Sequence, residues 1–406
     1  HAIAVLPWIV FFVGVGLRQV EPELEESGLL DRAARWVVPH VTFRRSLGGI
    51  GAASLAVAVL TAGDMTVTDL LQIRTYAEEA YLQSVLGEGP ASISVVIVPP
   101  LLILGPLIAF SAGSLIRVEA KHLSTVFQEP RRYALKAFRI PVGFSILGLV
   151  GLVLALPLYG LLWRAGRVGG RASLGRPPVW SFSGLVRTFV ESIDESLEPI
   201  ETSVMLSAIA ATCVLVIAWS VAWYSRRSRF WQAVSLLSIA VPLAAPGPVA
   251  GMALKIAYRT TATVSDSSAI VVLALICRTL PYTILILWPT IRLIPRELLE
   301  SAWLSGGGHW NTVRRVAMPL TRAGSGTAWA VAFALSFGEL PATNIVLPPG
   351  LTTITMRVWT LLHTGVESHL AGVALVILSI VGISGLLVVI PWKLSRKGTR
   401  GDSKWA

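Results

Sequence analysis

Nine stretches of this sequence stay apolar for about the length that crosses a bilayer, and no other feature constrains the fold as strongly. They are roughly Ala2–Leu17, Leu47–Gly63, Ile93–Leu115, Pro141–Trp163, Ser203–Tyr224, Gln232–Ile256, Ser267–Trp288, Ser325–Val346 and His369–Trp392. A helix spanning the hydrocarbon core needs about 20 apolar residues. In that medium every backbone N–H and C=O must be satisfied within the segment, which leaves helices for runs of this length. The expected fold class is therefore all-α, a polytopic membrane protein of about nine transmembrane helices. Only 14% of the residues are charged, against about 25% in an average soluble domain. A soluble enzyme and a disordered or fibrous chain are both excluded on that ground. Trp163, Trp223, Trp231 and Trp392 fall at segment ends, where an aromatic belt belongs.

The net charge of +11 would point to nucleic acid in a soluble protein. Here the basic residues lie between apolar segments, so topology explains them and no nucleic-acid partner is expected. With the C-terminus cytoplasmic, loops 18–46, 117–139, 225–231, 289–324 and 393–406 hold 24 of the 34 Lys and Arg, against nine on the opposite side. Cys213 and Cys277 both lie in apolar segments and read as small buried hydrophobes. The outer loop 164–202 carries Glu191, Asp194, Glu195, Glu198 and Glu201, mostly three or four apart. They are expected to line one side of a short amphipathic helix that also carries Phe189, Val190 and Leu197.

An internal repeat runs through the chain at a constant offset. Glu300-Ser301-Ala302 pairs with Glu25-Glu26-Ser27, Gly306 with Asp31, and Val316-Ala317-Met318-Pro319 with Val41-Thr42-Phe43-Arg44. Gly338-Glu339 pairs with Gly63-Asp64, and Thr343 with Thr68. This reads as a duplicated membrane unit of parallel topology. The expected division is the C-terminal half of a first repeat at 1–116, with its last three helices. A basic linker follows at 117–139, a complete six-helix repeat at 140–393 and a basic tail at 394–406. On this reading the chain is a twelve-helix protein without its first three helices. That fits a sequence opening on His1, so further hydrophobic segments are expected upstream.

The loop Glu300-Ser301-Ala302, three residues, Gly306, nine residues, Val316-x-Met318-Pro319 resembles the cytoplasmic coupling loop of permeases in binding-protein-dependent ABC importers. In that family the pattern is Glu-Ala-Ala, x3, Gly, x9, Ile-x-Leu-Pro. Two tracts, Thr75-Tyr76-Ala77-Glu78-Glu79-Ala80-Tyr81 and Gly338-Glu339-Leu340-Pro341-Ala342-Thr343 with Pro348-Pro349-Gly350, look like the fused two-repeat permeases for ferric iron and thiamine. The resemblance implies a transport subunit in the inner (plasma) membrane, in contact with lipid, with a periplasmic substrate-binding protein outside and a dimer of ABC ATPases inside. It implies no cofactor and no catalysis by this chain. A helix at about 297–305 would present Leu298, Leu299, Ala302 and Trp303 to the ATPase, Gly306 would allow the turn, and Pro319 would start the next helix. The first copy, with Glu25, Glu26, Asp31, Val41 and Arg44, departs from the pattern at its Gly and Pro positions. Trp36 and Val38 could still form a contact face there.

The chain has no G-x-x-x-x-G-K-[ST] loop, so ATP hydrolysis would fall to a separate subunit. It also lacks H-E-x-x-H and G-x-S-x-G, and its six histidines show no ligand spacing. The competing class is a membrane-embedded enzyme. For it only Arg278, Asp64 and Glu339 stand at membrane depth, without a nucleophile and base. Arg278 is expected to face the bundle interior and to pair with a carboxylate or with carbonyls freed near Pro281. The translocation path is expected at Asp64, Glu339, Thr343 and Asn344. Two matched carboxylates would suit a hard cation such as ferric iron, with no metal site firmly placed. Thiamine, polyamines and oxyanions are the alternative cargoes.

Overall fold

The computed structural model describes residues 1–18, 20–64, 66–85, 136–169, 178–305, 308–365 and 367–401, with six further positions between 98 and 108. Most of the expected span Ile93–Leu115, most of the basic linker, Gly306 and the end of the tail lie outside the described residues.

The protein is an all-helical polytopic membrane protein. Its helices are α1 (Ala2–Arg18), α2 (Pro22–Asp31), α3 (Ala34–Val37), α4 (Phe43–Gly63), α5 (Thr66–Leu70), α6 (Tyr76–Val85), α7 (Arg139–Ala165), α8 (Phe182–Glu195), α9 (Leu197–Tyr224) and α10 (Arg229–Ala244). They continue as α11 (Gly247–Ala257), α12 (Ala262–Ser265), α13 (Ser268–Arg292), α14 (Arg296–Leu304), α15 (His309–Thr312), α16 (Met318–Phe337), α17 (Pro341–Val346), α18 (Ile354–Thr364) and α19 (Glu367–Gly401). Two π-helical turns, Val38–Thr42 and Val313–Ala317, lead into α4 and α16. Two-residue strands β1 (Arg167–Val168) and β2 (Val179–Trp180) pair antiparallel beside α8.

Among the described residues, five helical stretches are long and apolar enough to cross a membrane, and seven if two bent pairs each count as one span. Of the nine expected spans, Ile93–Leu115 lies mostly outside the described residues, and two others are broken for identifiable reasons. The stretch Gln232–Ile256 turns by 110° between α10 and α11, because Pro246 has no N–H with which to continue the helix. The stretch Ser325–Val346 breaks after Phe337, and Pro341 opens the short α17. The outer acids are likewise divided. Helix α8 ends at Glu195, and Glu198 and Glu201 belong to α9.

The core is the packing of α9, α13 and α16. Helix α9 buries Ser203, Ser207, Ala210, Ala211, Val214, Ala218, Val221 and Ala222, one helical face of mostly small residues. Opposite them lie Ile270, Val271, Ala274, Ile284 and Leu287 of α13, with Ala328 and Ala332 of α16. Small residues let helix backbones approach where lipid offers no hydrophobic drive to associate. Helices α1 and α4 cross in the same manner. A Cβ at Gly16 would stand 2.8 Å from the Gly49 Cα, so both positions need hydrogen there.

The element order recurs in the second copy of the repeat. Helix α3, the π turn Val38–Thr42 and the start of α4 at Phe43 correspond residue for residue to α15, the π turn Val313–Ala317 and the start of α16 at Met318. Paired positions share their surroundings. Ser46 and Thr321 are both buried, and each hydroxyl turns back to a carbonyl of the preceding turn, Ser46 to Phe43 O at 2.9 Å and Thr321 to Ala317 O at 2.9 Å.

Candidate coupling loop and translocation path

Helix α13 ends at Arg292, and Pro295 caps α14, which projects beyond the core. Its apolar side chains are uncovered: Leu298 is 45% exposed, Trp303 65% and Leu304 80%. Of the four residues expected to form a contact face, Leu299 and Ala302 are half-buried and Leu298 and Trp303 exposed. Glu300 and Ser301 are exposed, and the Ser301 hydroxyl donates to Leu298 O at 3.1 Å. Val316 is half-buried in the π turn, whose Val313 and Ala317 anchor it to the core. Exposed Met318 and Pro319 open α16. The loop is thus a short amphipathic helix fastened at both ends to core helices, with an uncovered apolar side.

The first copy is built differently. Glu25 is buried, 4% exposed, and accepts a hydrogen bond from the Thr42 hydroxyl of the π turn. Its counterpart Glu300 faces outward. Glu26, Asp31 and Arg44 are exposed and Val41 is half-buried. Trp36 lies under the Arg32 guanidinium, 4.2 Å from the ring centre, and stacks on His40. Of the apolar face expected here, Val38 remains exposed.

Glu339 and Thr343 lie together, and the four expected path residues are held by different partners. Glu339 Oε1 lies 3.6 Å from Arg278 Nε, with both side chains largely buried, and accepts from the Ala342 N–H at 3.1 Å. Thr343 is buried, and its hydroxyl donates to Glu339 O at 2.8 Å. Asn344 donates through Nδ2 to the Tyr81 hydroxyl at 3.2 Å. Asp64 repeats the local pattern of Glu339, capping the Thr66 N–H at 3.1 Å and accepting at its carbonyl from Thr68. Its carboxylate pairs with His1 at 3.4 Å. Each carboxylate therefore has its own partner. Among the described residues, no three or more His, Cys, Asp or Glu side chains gather as a metal ion would require.

Arg278 faces the interior, but the carbonyls it meets are not those near Pro281. Its Nη1 donates to Pro242 O at 3.2 Å and to Ala245 O at 3.0 Å. Pro246 cannot supply the N–H that Pro242 O would otherwise receive, so the guanidinium satisfies the carbonyls of the α10–α11 break. Helix α11 is pressed onto α17 at that point. A Cβ on Gly247 would come within 2.5 Å of Pro341, and one on Gly251 within 2.7 Å of Ala342 O. The sequence pointed to Arg278 and Glu339 separately. It did not point to the Pro242 carbonyl, and it offered Tyr81 only as the end of the tract at 75–81.

No protein-family model matches the chain. It is similar to a protein named as a probable sulfate transport system permease of Chlorella vulgaris, at 25% identity over 37% of this chain and 62% of that one. It is similar to the putrescine transport system permease of Escherichia coli (strain K12), at 24% identity over 51% of this chain and 75% of the relative. The spermidine/putrescine transport system permease of the same strain matches at 20% identity, over 30% and 46%. Its relatives are ABC-transporter permeases. They are transport components and not enzymes. The chain spans 62% of the sulfate permease's length and 46% of the spermidine/putrescine permease's. None of these three is named for iron.

Proposed function

We propose that this chain is the permease subunit of a binding-protein-dependent (type I) ABC importer. The observation that carries the reading is α14, a short helix whose uncovered Leu298, Trp303 and Leu304 sit in the loop with the coupling-loop pattern. Exposed apolar side chains gathered on one element suit a protein partner, here the groove of an ABC ATPase. Closure of two ATPases would push on α14, and the adjoining ends of α13 and α16 would follow as rigid bodies. In this reading 140–393 is a complete repeat and 1–116 the end of an earlier one. Loops 18–46, 225–231 and 289–324 face the cytoplasm and α8 faces the binding protein.

The cargo is a small charged solute. The relatives are named for an anion and for polycations, so likeness to them does not choose a sign. Ferric iron rests on the resemblance of the two tracts. It is weakened by the Arg278 guanidinium, which already neutralises Glu339. The experiment is co-expression of the chain with its ATPase and binding protein, followed by uptake and pull-down for the wild type and Glu300→Arg. The variant should insert normally, lose ATP-driven uptake and release the ATPase. Wild-type uptake and ATPase retention by the variant would reject the assignment.

A further inference from the structure

Where α9 and α13 end, arginines crowd together. Arg226 donates through Nη1 to Ile291 O and through Nη2 to Ile294 O, both at 3.0 Å. It thereby ties the loop after α9 to the end of α13, and its guanidinium lies over the Trp223 ring at 5.4 Å. Arg292 lies 4.5 Å over Trp288, whose Nε1 donates to Ser225 Oγ at 3.1 Å. Burial pushes the pKa of Arg226 down to about 10, and the charges of Arg296, Arg227 and Arg292 add to the effect. No carboxylate is among the groups acting on it, and among the described residues none of the ion pairs includes it. Like charges brought together on a folded surface repel one another unless an anion joins them.

We propose that this cluster binds the phosphate of an anionic lipid headgroup. The carbonyls of α13 and the turn after it hold Arg226 in place through its two Nη groups, and the exposed side chains of Arg227 and Arg296 beside it receive the phosphate. Guanidinium donors match phosphate oxygens in pairs. The flank of the cluster argues for a lipid source over a soluble one. Tyr224 stacks on Trp231 at 5.2 Å, and Tyr224, Phe230 and Leu237 are 50%, 70% and 61% exposed. Uncovered aromatic rings beside a basic cluster between membrane helices place it at the headgroup level, with acyl chains alongside. This inference draws on the arginines and their aromatic neighbours and not on the transport reading.

The test uses the full chain purified in detergent and supplied with phosphatidylglycerol or phosphatidylcholine, with bound lipid counted by native mass spectrometry. The wild type should retain phosphatidylglycerol in preference. The pair Arg227→Gln and Arg296→Gln, both exposed, should lower that preference about tenfold. Two exposed arginines of the neighbouring loop, changed as Arg314→Gln with Arg315→Gln, keep the same net charge as the first pair and should leave the preference intact. An equal loss in both pairs would show nonspecific attraction and overturn the site, as would unchanged retention in the first pair. Displacement of the lipid by millimolar inorganic phosphate would overturn the lipid assignment.

Discussion

The Arg278 guanidinium and the Glu339 carboxylate, 3.6 Å apart, join two interruptions in the membrane helices. Arg278 also serves the carbonyls left by the α10–α11 break, and Glu339 also caps the N-terminus of α17. One ion pair therefore spans α13, the α10–α11 turn and the α16–α17 turn.

Removing one partner should cost more than removing both. Arg278→Met leaves a largely buried carboxylate and two carbonyls unserved, a loss of about 3–5 kcal/mol. Arg278→Met with Glu339→Gln should recover part of it, because no charge is then stranded. Unfolding in mixed micelles measures both. A double variant less stable than Arg278→Met alone would contradict the pairing.

The α11–α17 contact predicts intolerance of a single methyl group. Gly251→Ala places a Cβ within 2.7 Å of Ala342 O, a backbone atom, and should cost about 1–3 kcal/mol. Gly148→Ala on α7 meets nothing within 4 Å and should not lower stability. Comparing the two melting temperatures isolates the packing effect from helix propensity.

The two loops should respond in opposite ways to the same change. Glu25→Ala removes the acceptor of the Thr42 hydroxyl in a buried setting and should destabilise by about 1–3 kcal/mol. Glu300→Ala alters an exposed side chain and should move stability by no more than about 0.5 kcal/mol. Its effect should appear in ATPase binding instead.

Trp303→Ser with Leu304→Ser changes only exposed residues of α14. The melting temperature of the isolated chain should hold, while retention of the ATPase falls at least about tenfold, as for loss of a large aromatic contact. A fall in melting temperature without loss of the partner would mean that the two side chains pack within this chain.

Orientation can be read by labelling. In a background with Cys213 and Cys277 replaced by Ala, an impermeant thiol reagent should reach Thr364→Cys, at the end of α18, from outside intact cells. It should reach Ser305→Cys, just after α14, only after permeabilisation. The reverse pattern would invert the topology.

Much of this protein was legible in its sequence because the bilayer reduces the choices. An apolar run of sufficient length must be helical there, so the all-α class and the spans at α7, α9, α13 and α19 follow from hydropathy alone. The constant offset between the two copies was equally visible as a pattern, and Pro319 did mark the start of α16. What hydropathy could not register is where a helix stops inside the membrane. The 110° turn at Ala245–Pro246 and the break at Gly338–Leu340 carry the same apolar side chains as an unbroken span. They persist because Arg278 and Glu339, far apart in the chain, satisfy the backbone groups those breaks leave open. Which carboxylate meets which guanidinium, and which glutamate of the paired loops is buried, depends on helices distant in sequence. Only the packed structure brings these groups together.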